Sequence, residues 1–582
     1  MSALVDPFEA RRVVGATGIL REFNDIGVLS AADVHVAARL CDLVGDESEP
    51  VALAVALAVR GPRLGHVFID LATIRDTASV ESDEPVDLSE LPWPSVGEWL
   101  GELARSELVA VGEDHAGSES RPLRLLGSRL YLDRYWREER AVAADLNDMT
   151  ASGRLEVIAG GPGTGKTTRV ARMVAEMIDE AVAAGARPPL VALAAPTGKA
   201  AARLEEAVHE ETAQLPVGED VRALLMALRA STLHRLLGWR PGSHSRFAHD
   251  RGNRLPHDVV IVDETSMVSL SLMARLVEAV RPEAKLILVG DPGQLTSIEA
   301  GVVLGDIVDA GPGPGPGRGP GPGSRGEGVV VLTRVHRYGG GIAALADAIR
   351  VGDGDATVAA LRAAPGEITW LDVDLYETEA GLELVRERAV AAGLEVVGAA
   401  REGAASEALA ALGRFRLLCA HRRGPYGVSD WSSRVQAWLA PVIEDIEQRD
   451  FVGRPLLVTE NDYELGLYNG DTGVIVVGTG ERPAAAFERG GEVLRFSPLR
   501  LGAVDTVYAM TIHKSQGSQF DTAAVLLPAA TSRILTRELL YTGVTRARRE
   551  LILVGTEAAV RQAVERPVAR ASGLRERLWT RE

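Results

Sequence analysis

The chain has 582 residues, enough for three or four domains at about 100–200 residues each. With 46% hydrophobic and 25% charged residues it is neither fibrous nor largely disordered. The net charge of −18 is uneven: residues 1–150 hold 27 Asp and Glu against 14 Arg, whereas residues 531–582 hold 11 Arg against 6 acids, so the two ends are expected to meet different partners.

The opening MSALVDPFEARR joins no basic segment to an apolar core, so export is not expected. The longest apolar run, residues 51–59, is far short of the ~20 residues that span a bilayer, so no membrane partner is expected. Cys41 and Cys419 are the only cysteines. They can form neither a disulfide framework nor a zinc site, and they suit a reducing cytoplasm. The acidic front includes Trp93 and Trp99 in LPWPSVGEWLGELA and shows no catalytic pattern.

Residues 155–168 read LEVIAGGPGTGKTT, an apolar strand run followed by glycines and then by a helical pattern. Gly160, Gly161, Pro162, Gly163, Thr164, Gly165, Lys166 and Thr167 fit G-x-x-x-x-G-K-[ST], with Thr168 adjoining. Such a loop turns backbone N–H groups and a helix N-terminus toward a phosphate. Lys166 then reaches the β- and γ-phosphates of ATP, and Thr167 ligates Mg²⁺. Only four lysines occur: Lys166, Lys199, Lys285 and Lys514. Three of them sit in GPGTGKTT, APTGKAA and IHKSQG, and a compact ammonium kept in an Arg-rich chain points to tight phosphate pockets.

Farther on, APTGKAAAR opens a helix after the strand-like PLVALAA, an arrangement suited to gripping a backbone phosphate. STLHRLL can do the same or be a plain amphipathic helix. Residues 239–258 hold four Arg and three His against two Asp, either as a solvated loop or as a small functional insertion between two motifs. The strand DVVIVDE ends in Asp263 and Glu264. Asp263 is placed for Mg²⁺, directly or through water, and Glu264 for orienting or deprotonating the attacking water. The strand KLILVG leads to Gln294, either a residue that touches the γ-phosphate and reports its loss or a plain turn residue.

Residues 311–328 contain 14 Gly or Pro in 18 and predict a disordered tether at a domain crossover. Short apolar pieces between Gly-rich turns in residues 452–505 predict a small β insertion. Last come MTIHKSQG and LYTGVTRAR.

In this order GGPGTGKTT, APTGKAAARL, STLHRLLG, VDETSMV, GDPGQLTSIEAG, LTRVHRY, TENDYELGLYNGD, MTIHKSQGSQFD and ELLYTGVTRARRELILVG resemble the superfamily 1 helicase motifs, and in particular the RecD family of RecBCD complexes. The resemblance covers roughly residues 155–555. It implies an α/β fold of two RecA-like P-loop domains with parallel sheets, a small β insertion in the second, and a mainly helical N-terminal domain. The expected limits are 1–125 for a partner-docking domain, 126–310 for the first RecA-like domain, 311–328 for the linker and 329–582 for the second. ATP would lie in the cleft with single-stranded DNA across the top of both domains.

Arg337 and Arg546 would be arginine fingers from the second domain. Thr197, Lys199, Thr232, His234, Asn469, His513 and Ser515 would carry DNA contacts. The implied activity is ATP-dependent 5′–3′ DNA unwinding at duplex ends, in a heterotrimer with RecB-like and RecC-like subunits that repairs double-strand breaks by homologous recombination. Nuclease activity would reside in another subunit. The N-terminal region would dock on the RecC-like partner, or pack as a cap on its own motor. A stand-alone helicase on DNA or RNA and a clamp ATPase that does not translocate are the alternatives. One departure from the pattern affects adenine recognition: no Gln precedes Gln214, so the glutamine that reads adenine upstream of the P-loop in other helicases of this kind is missing.

Overall fold

The computed structural model describes residues 12–78, 80, 87–113, 121–240, 247–297, 299–311, 328–332, 340–364, 366–375, 381–462, 464–478, 480 and 482–579. Most of the Gly/Pro segment, part of the Arg- and His-rich 239–258 stretch, and Arg337 lie outside them.

The N-terminal part packs the helices Gly18–Asp25, Ala31–Val44, Glu49–Arg60 and Val96–Arg105 on a small sheet. That sheet contains β1 (Phe68–Asp70), β2 (Val109–Val111), β3 (Leu123–Leu126) and β4 (Arg129–Leu132), in the order β1-β4-β3-β2. Trp99 and Leu103, with Phe23 and Leu53, fill its core. The region is mainly helical, as expected, with a small sheet of short strands beneath the helices. Its β3–β4 pair runs through Leu132, so the break expected after residue 125 falls inside β3.

The helix Asp133–Ala151 leads into a six-stranded sheet in which every pairing is parallel. Its strands are β5 (Leu155–Gly160), β6 (Val191–Ala195), β7 (Ala230–Thr232), β8 (Val259–Val262), β9 (Lys285–Gly290) and β10 (Val329–Leu332), in the order β10-β5-β9-β8-β6-β7. All four residues of β8 are buried, as a strand covered on both faces requires. β10 follows the Gly/Pro segment yet pairs with β5 at this sheet's edge, so the first nucleotide-binding unit extends past residue 328.

β11 (Ile368–Leu371) and β12 (Phe415–Cys419) begin the second unit. An antiparallel sheet of β13 (Pro455–Val458), β14 (Thr472–Val477), β15 (Pro483–Arg489), β16 (Glu492–Phe496) and β17 (Val504–Thr506) interrupts it, where the β insertion is expected. β18 (Ala509–Thr511), β19 (Phe520–Leu526) and β20 (Ala547–Val554) then complete a parallel sheet in the order β11-β20-β19-β12-β18. Helix Arg537–Val544 sits between β19 and β20 in the chain and carries the last motif to the cleft.

The segment 566–579 crosses back over the whole molecule. Its Val568 N–H donates to Glu538 (2.8 Å) and its Ser572 hydroxyl to Asp306 (2.7 Å). Gly573 N–H donates to Glu139 (2.8 Å), while Glu576 accepts two bonds from Arg129 at 2.6 and 2.8 Å. Second unit, first unit and N-terminal part are thus tied by one strap. Among the described residues no helix is long and apolar enough to cross a membrane, and Cys41 and Cys419 are both buried and free.

Candidate nucleotide and nucleic-acid site

β5 ends in the phosphate-loop sequence, and Gly163 and Gly165 take φ of +77° and +83°, which side chains with a Cβ rarely adopt. These two turns set the helix Lys166–Ala183 so that its N-terminus faces the loop. The Lys166 ammonium donates to the Gly160 and Gly161 carbonyls, at 2.5 and 2.8 Å, and so rests on its own loop. Thr164 Oγ1 donates to Gly161 O at 2.8 Å. Thr167 is half-buried on the first turn, whereas Thr168 Oγ1 donates to Glu211 (2.7 Å) on the neighbouring helix. A cavity of about 660 Å³ opens beside the loop between Gly163–Gly165, Arg169, Arg172, Met173, Glu176 and Leu332.

β8 delivers Asp263 and Glu264 next to this loop. Glu264 has φ +51° and ψ +39°, a left-handed turn that is costly for a residue with a side chain and that concentrates at functional sites. Its N–H donates to Asp263 Oδ1 at 2.8 Å. Burial pushes both carboxyls above their usual range, and the adjoining Asp263 carboxylate pushes Glu264 further. The Lys166 ammonium draws both back down, and Arg546 draws Glu264. Lys166 and Arg546, one from each nucleotide-binding unit, therefore act on one carboxylate.

Arg546 is buried. Its Nε donates to Thr542 O (3.0 Å), and one terminal nitrogen donates to Ser518 O (3.1 Å) and Ser515 O (3.5 Å). Gln294 is buried too; its amide donates to Asp291 (3.0 Å) while its Oε1 has no hydrogen-bond partner among the described residues. The following residue is clasped by the second unit: Leu295 N–H donates to Thr542 Oγ1 (2.9 Å), Gln516 Nε2 donates to Leu295 O (2.7 Å), and the Leu295 side chain enters that unit's core. Tyr541 is buried against both sides of the cleft. A Cβ at Gly161 would stand 2.9 Å from its hydroxyl, and one at Gly293 would stand 3.4 Å from its ring. Tyr541, Thr542, Gln516 and Leu295 all lie inside the motifs quoted above, and sequence reasoning assigned them no role.

The residues expected at DNA divide into separate places. Thr197 and Thr232 hydroxyls cap the helices they precede, accepting from Ala200 and Arg235 N–H groups at 3.2 Å each. Lys199 donates to Gly470 O (3.0 Å) in the β insertion, and Gly198 is covered by the Tyr468 ring, which a Cβ there would strike. Burial and the nearby Arg203 bring the Lys199 ammonium down to about 7. Arg203, brought down to about 10 by burial and by Arg548 and Arg546, donates across the cleft to Gly517 O. Asn469 is exposed on the same loop as Gly470.

His513 is turned into the structure, its imidazole lowered by burial and by Arg570 and Arg422, and the Ser515 hydroxyl donates to Ile512 O (2.7 Å). His234 stacks near Phe247 (ring centroids 5.9 Å apart) on a groove of about 1340 Å³ shared with Arg63, Arg121 and Arg275. The structure thus gathers Lys166, Asp263, Glu264, Gln294 and Arg546 in one seam. His234 lines its groove with Glu299, whose carbonyl Arg570 binds, and Arg570 also acts on His513; Arg337 lies outside the described residues.

Comparison with known proteins gives matches along most of the chain. A family model described as the RecBCD enzyme subunit RecD, N-terminal domain, matches residues 25–131. An AAA domain model matches 143–300, and a UvrD-like helicase C-terminal domain model matches 506–554. The RecBCD enzyme subunit RecD of Mycobacterium tuberculosis H37Rv is 49% identical over 601 residues, covering 97% of each chain. That of Mycolicibacterium smegmatis is 48% identical over 590 residues, covering 96% of this chain and 99% of its own. The ATP-dependent RecD2 DNA helicase of Deinococcus radiodurans is 31% identical over 440 residues, covering 75% of this chain and 52% of its own.

Proposed function

This chain belongs to the RecD family, the ATP-dependent helicase subunits of RecBCD, and on that premise we propose that it hydrolyses ATP in the seam between its two parallel-sheet units to move 5′ to 3′ along single-stranded DNA. The observation that carries this reading is that the second unit meets the phosphate loop in one seam: the Tyr541 hydroxyl abuts Gly161, while Thr542 and Gln516 hold Leu295 beside Gln294. A triphosphate seated on the Gly160–Thr168 loop would draw Lys166 off the Gly160 and Gly161 carbonyls onto its terminal phosphates. Glu264 would then orient and deprotonate the attacking water, Gln294 would contact the γ-phosphate, and Arg546 would leave its backbone carbonyls to neutralise charge on the transferring phosphoryl group.

The Thr167 hydroxyl and the Asp263 carboxylate are hard oxygen donors that fit Mg²⁺, with its other positions left to phosphate and water. When bound, the ion would offset charge on the phosphate oxygens. Arg337 is the second finger by resemblance.

DNA would lie across Thr197, Lys199, Thr232, His234, Asn469, His513 and Ser515, where contacts to phosphate and sugar tolerate any sequence. Tyr468 covers Gly198 and Gly470 holds Lys199 here, so the β insertion would lift or shift as DNA enters. We place the chain in the cytoplasm, in a heterotrimer with RecB-like and RecC-like subunits acting on duplex ends, with the nuclease centre in another subunit.

The test is ATP turnover with and without single-stranded DNA, then unwinding of duplexes tailed at either end by the chain with its partner subunits. Stimulation by DNA and unwinding from a 5′ tail are expected. DNA-independent turnover, or unwinding from 3′ tails alone, would overturn the reading.

A further inference from the structure

Tyr541 lies on the helix Arg537–Val544, five residues before Arg546, and is buried at the mouth of the phosphate loop. Its hydroxyl, rather than the ring alone, is the part that meets Gly161. Gly161 does not have a positive φ, so its backbone would accept a side chain, and the other atom near its Cβ position is Thr164 Cγ2 at 4.0 Å. What excludes a side chain there is the second unit's phenol. The ring edge meanwhile lies against Gly293, two residues before the clasped Leu295. One side chain thus touches the loop that holds the phosphates and the turn that carries Gln294. A phenylalanine would pack equally well, but a hydroxyl adds a directional donor without further charge beside Lys166 and Arg546.

We propose that Tyr541 is a further substrate-contacting residue of the ATPase: its hydroxyl donates a hydrogen bond to the terminal phosphate when the cleft closes, and so favours the triphosphate over the diphosphate. This rests on the nucleotide-site reading given above. The donor belongs to the second unit, so the bond forms only in the closed state.

The experiment uses the full-length chain and measures affinities for ADP and for a slowly hydrolysed ATP analogue with a γ-thiophosphate, with steady-state turnover beside them. Tyr541→Phe should weaken the analogue about tenfold, the worth of one hydrogen bond to a charged group. It should leave ADP within about twofold on the same basis. Gly161→Ala should depress turnover with Tyr541 present, and Gly161→Ala/Tyr541→Phe should recover part of the loss, because the atom that collides with the new methyl is gone. An unchanged analogue-to-ADP ratio in Tyr541→Phe, or no recovery in the double variant, overturns the assignment. Failure of the unsubstituted chain to bind either nucleotide would overturn the site reading beneath it as well.

Discussion

Arg546→Ala is the sharpest perturbation of the seam. In the structure its guanidinium is stowed, donating to the carbonyls of Thr542, Ser518 and Ser515 and, at 3.4 Å, to Thr545 Oγ1. Hydrogen bonds from a charged group contribute roughly 1.5–3 kcal/mol each, so releasing the two shorter ones costs about 3–6 kcal/mol, which new bonds to phosphate must offset. The alanine variant therefore loses stability, because buried carbonyls lose their donor at about 1–3 kcal/mol apiece. It also loses turnover, by about 10³–10⁵ for a finger that acts on the transferring group. Arg546→Lys keeps the charge and one or two of the bonds but not the planar fork, and it should recover stability more than rate. Steady-state ATPase at saturating single-stranded DNA, with ADP affinity and melting temperature measured in parallel, separates these effects. A folded Arg546→Ala protein that turns over within tenfold of the unsubstituted chain would refute the role.

Glu264→Gln should nearly abolish turnover while retaining nucleotide binding. In the unsubstituted chain the acid limb of the pH–rate profile should lie above the ordinary carboxylate range, because burial raises Glu264 and only its ionised form accepts a proton; a limb at or below that range contradicts the assignment. Tyr468→Ala uncovers Gly198 and frees the loop that caps Lys199, so single-strand binding should tighten several-fold in a fluorescence titration; weaker binding would mean that the ring contacts DNA rather than masking the site. Burial raises Glu139 to about 7 despite the Gly573 amide and the Arg577 guanidinium, which pull it down. The folded chain therefore holds a proton that the unfolded chain releases near 4.5, and the strap's stability is lost as pH rises through about 7. The difference amounts to at most about 3 kcal/mol. Glu139→Gln should flatten this slope in urea denaturation followed from pH 5 to pH 8, and an unchanged slope would dismiss the idea. Thr542→Val leaves Leu295 N–H without an acceptor and should lower DNA stimulation of ATPase more than basal turnover; equal losses would reject it.

The parallel sheets were legible because their central strands are continuous apolar runs that end directly in polar motifs, as VVIV does before Asp263 and Glu264. The N-terminal sheet was not, since strands of three or four residues such as Phe68–Asp70 and Val109–Val111 are too short to show alternation. β10 was hidden for another reason: it pairs with β5 across more than 170 residues, beyond a segment that reads as a tether. At the site, spacing located Lys166, Asp263, Glu264 and Gln294, but it gave no hint that Gly470, 271 residues away, would cap Lys199. The helix-capping of Thr197 and Thr232 was accessible to local reasoning, because each directly precedes a helical pattern.

The turn at residues 291–295 explains how such a seam can act as a motor. It leaves β9 of the first sheet, yet its last residue is held by the second unit through Thr542 Oγ1, Gln516 Nε2 and a buried leucine side chain. Two hydrogen bonds at about 1 kcal/mol each and a leucine burial of about 2 kcal/mol make a tie of roughly 4 kcal/mol. A tie of that size would keep the turn with the second unit if the sheets rock, and on the proposed reading Gln294 would then move relative to Lys166 although both follow strands of one sheet. Gln516 adjoins Ser515, and Thr542 O receives Arg546. On the proposed reading, whatever shifts Gln294 when the γ-phosphate departs would pull at once on Arg546 and on the segment that resembles a DNA contact, which is the coupling a translocating ATPase needs.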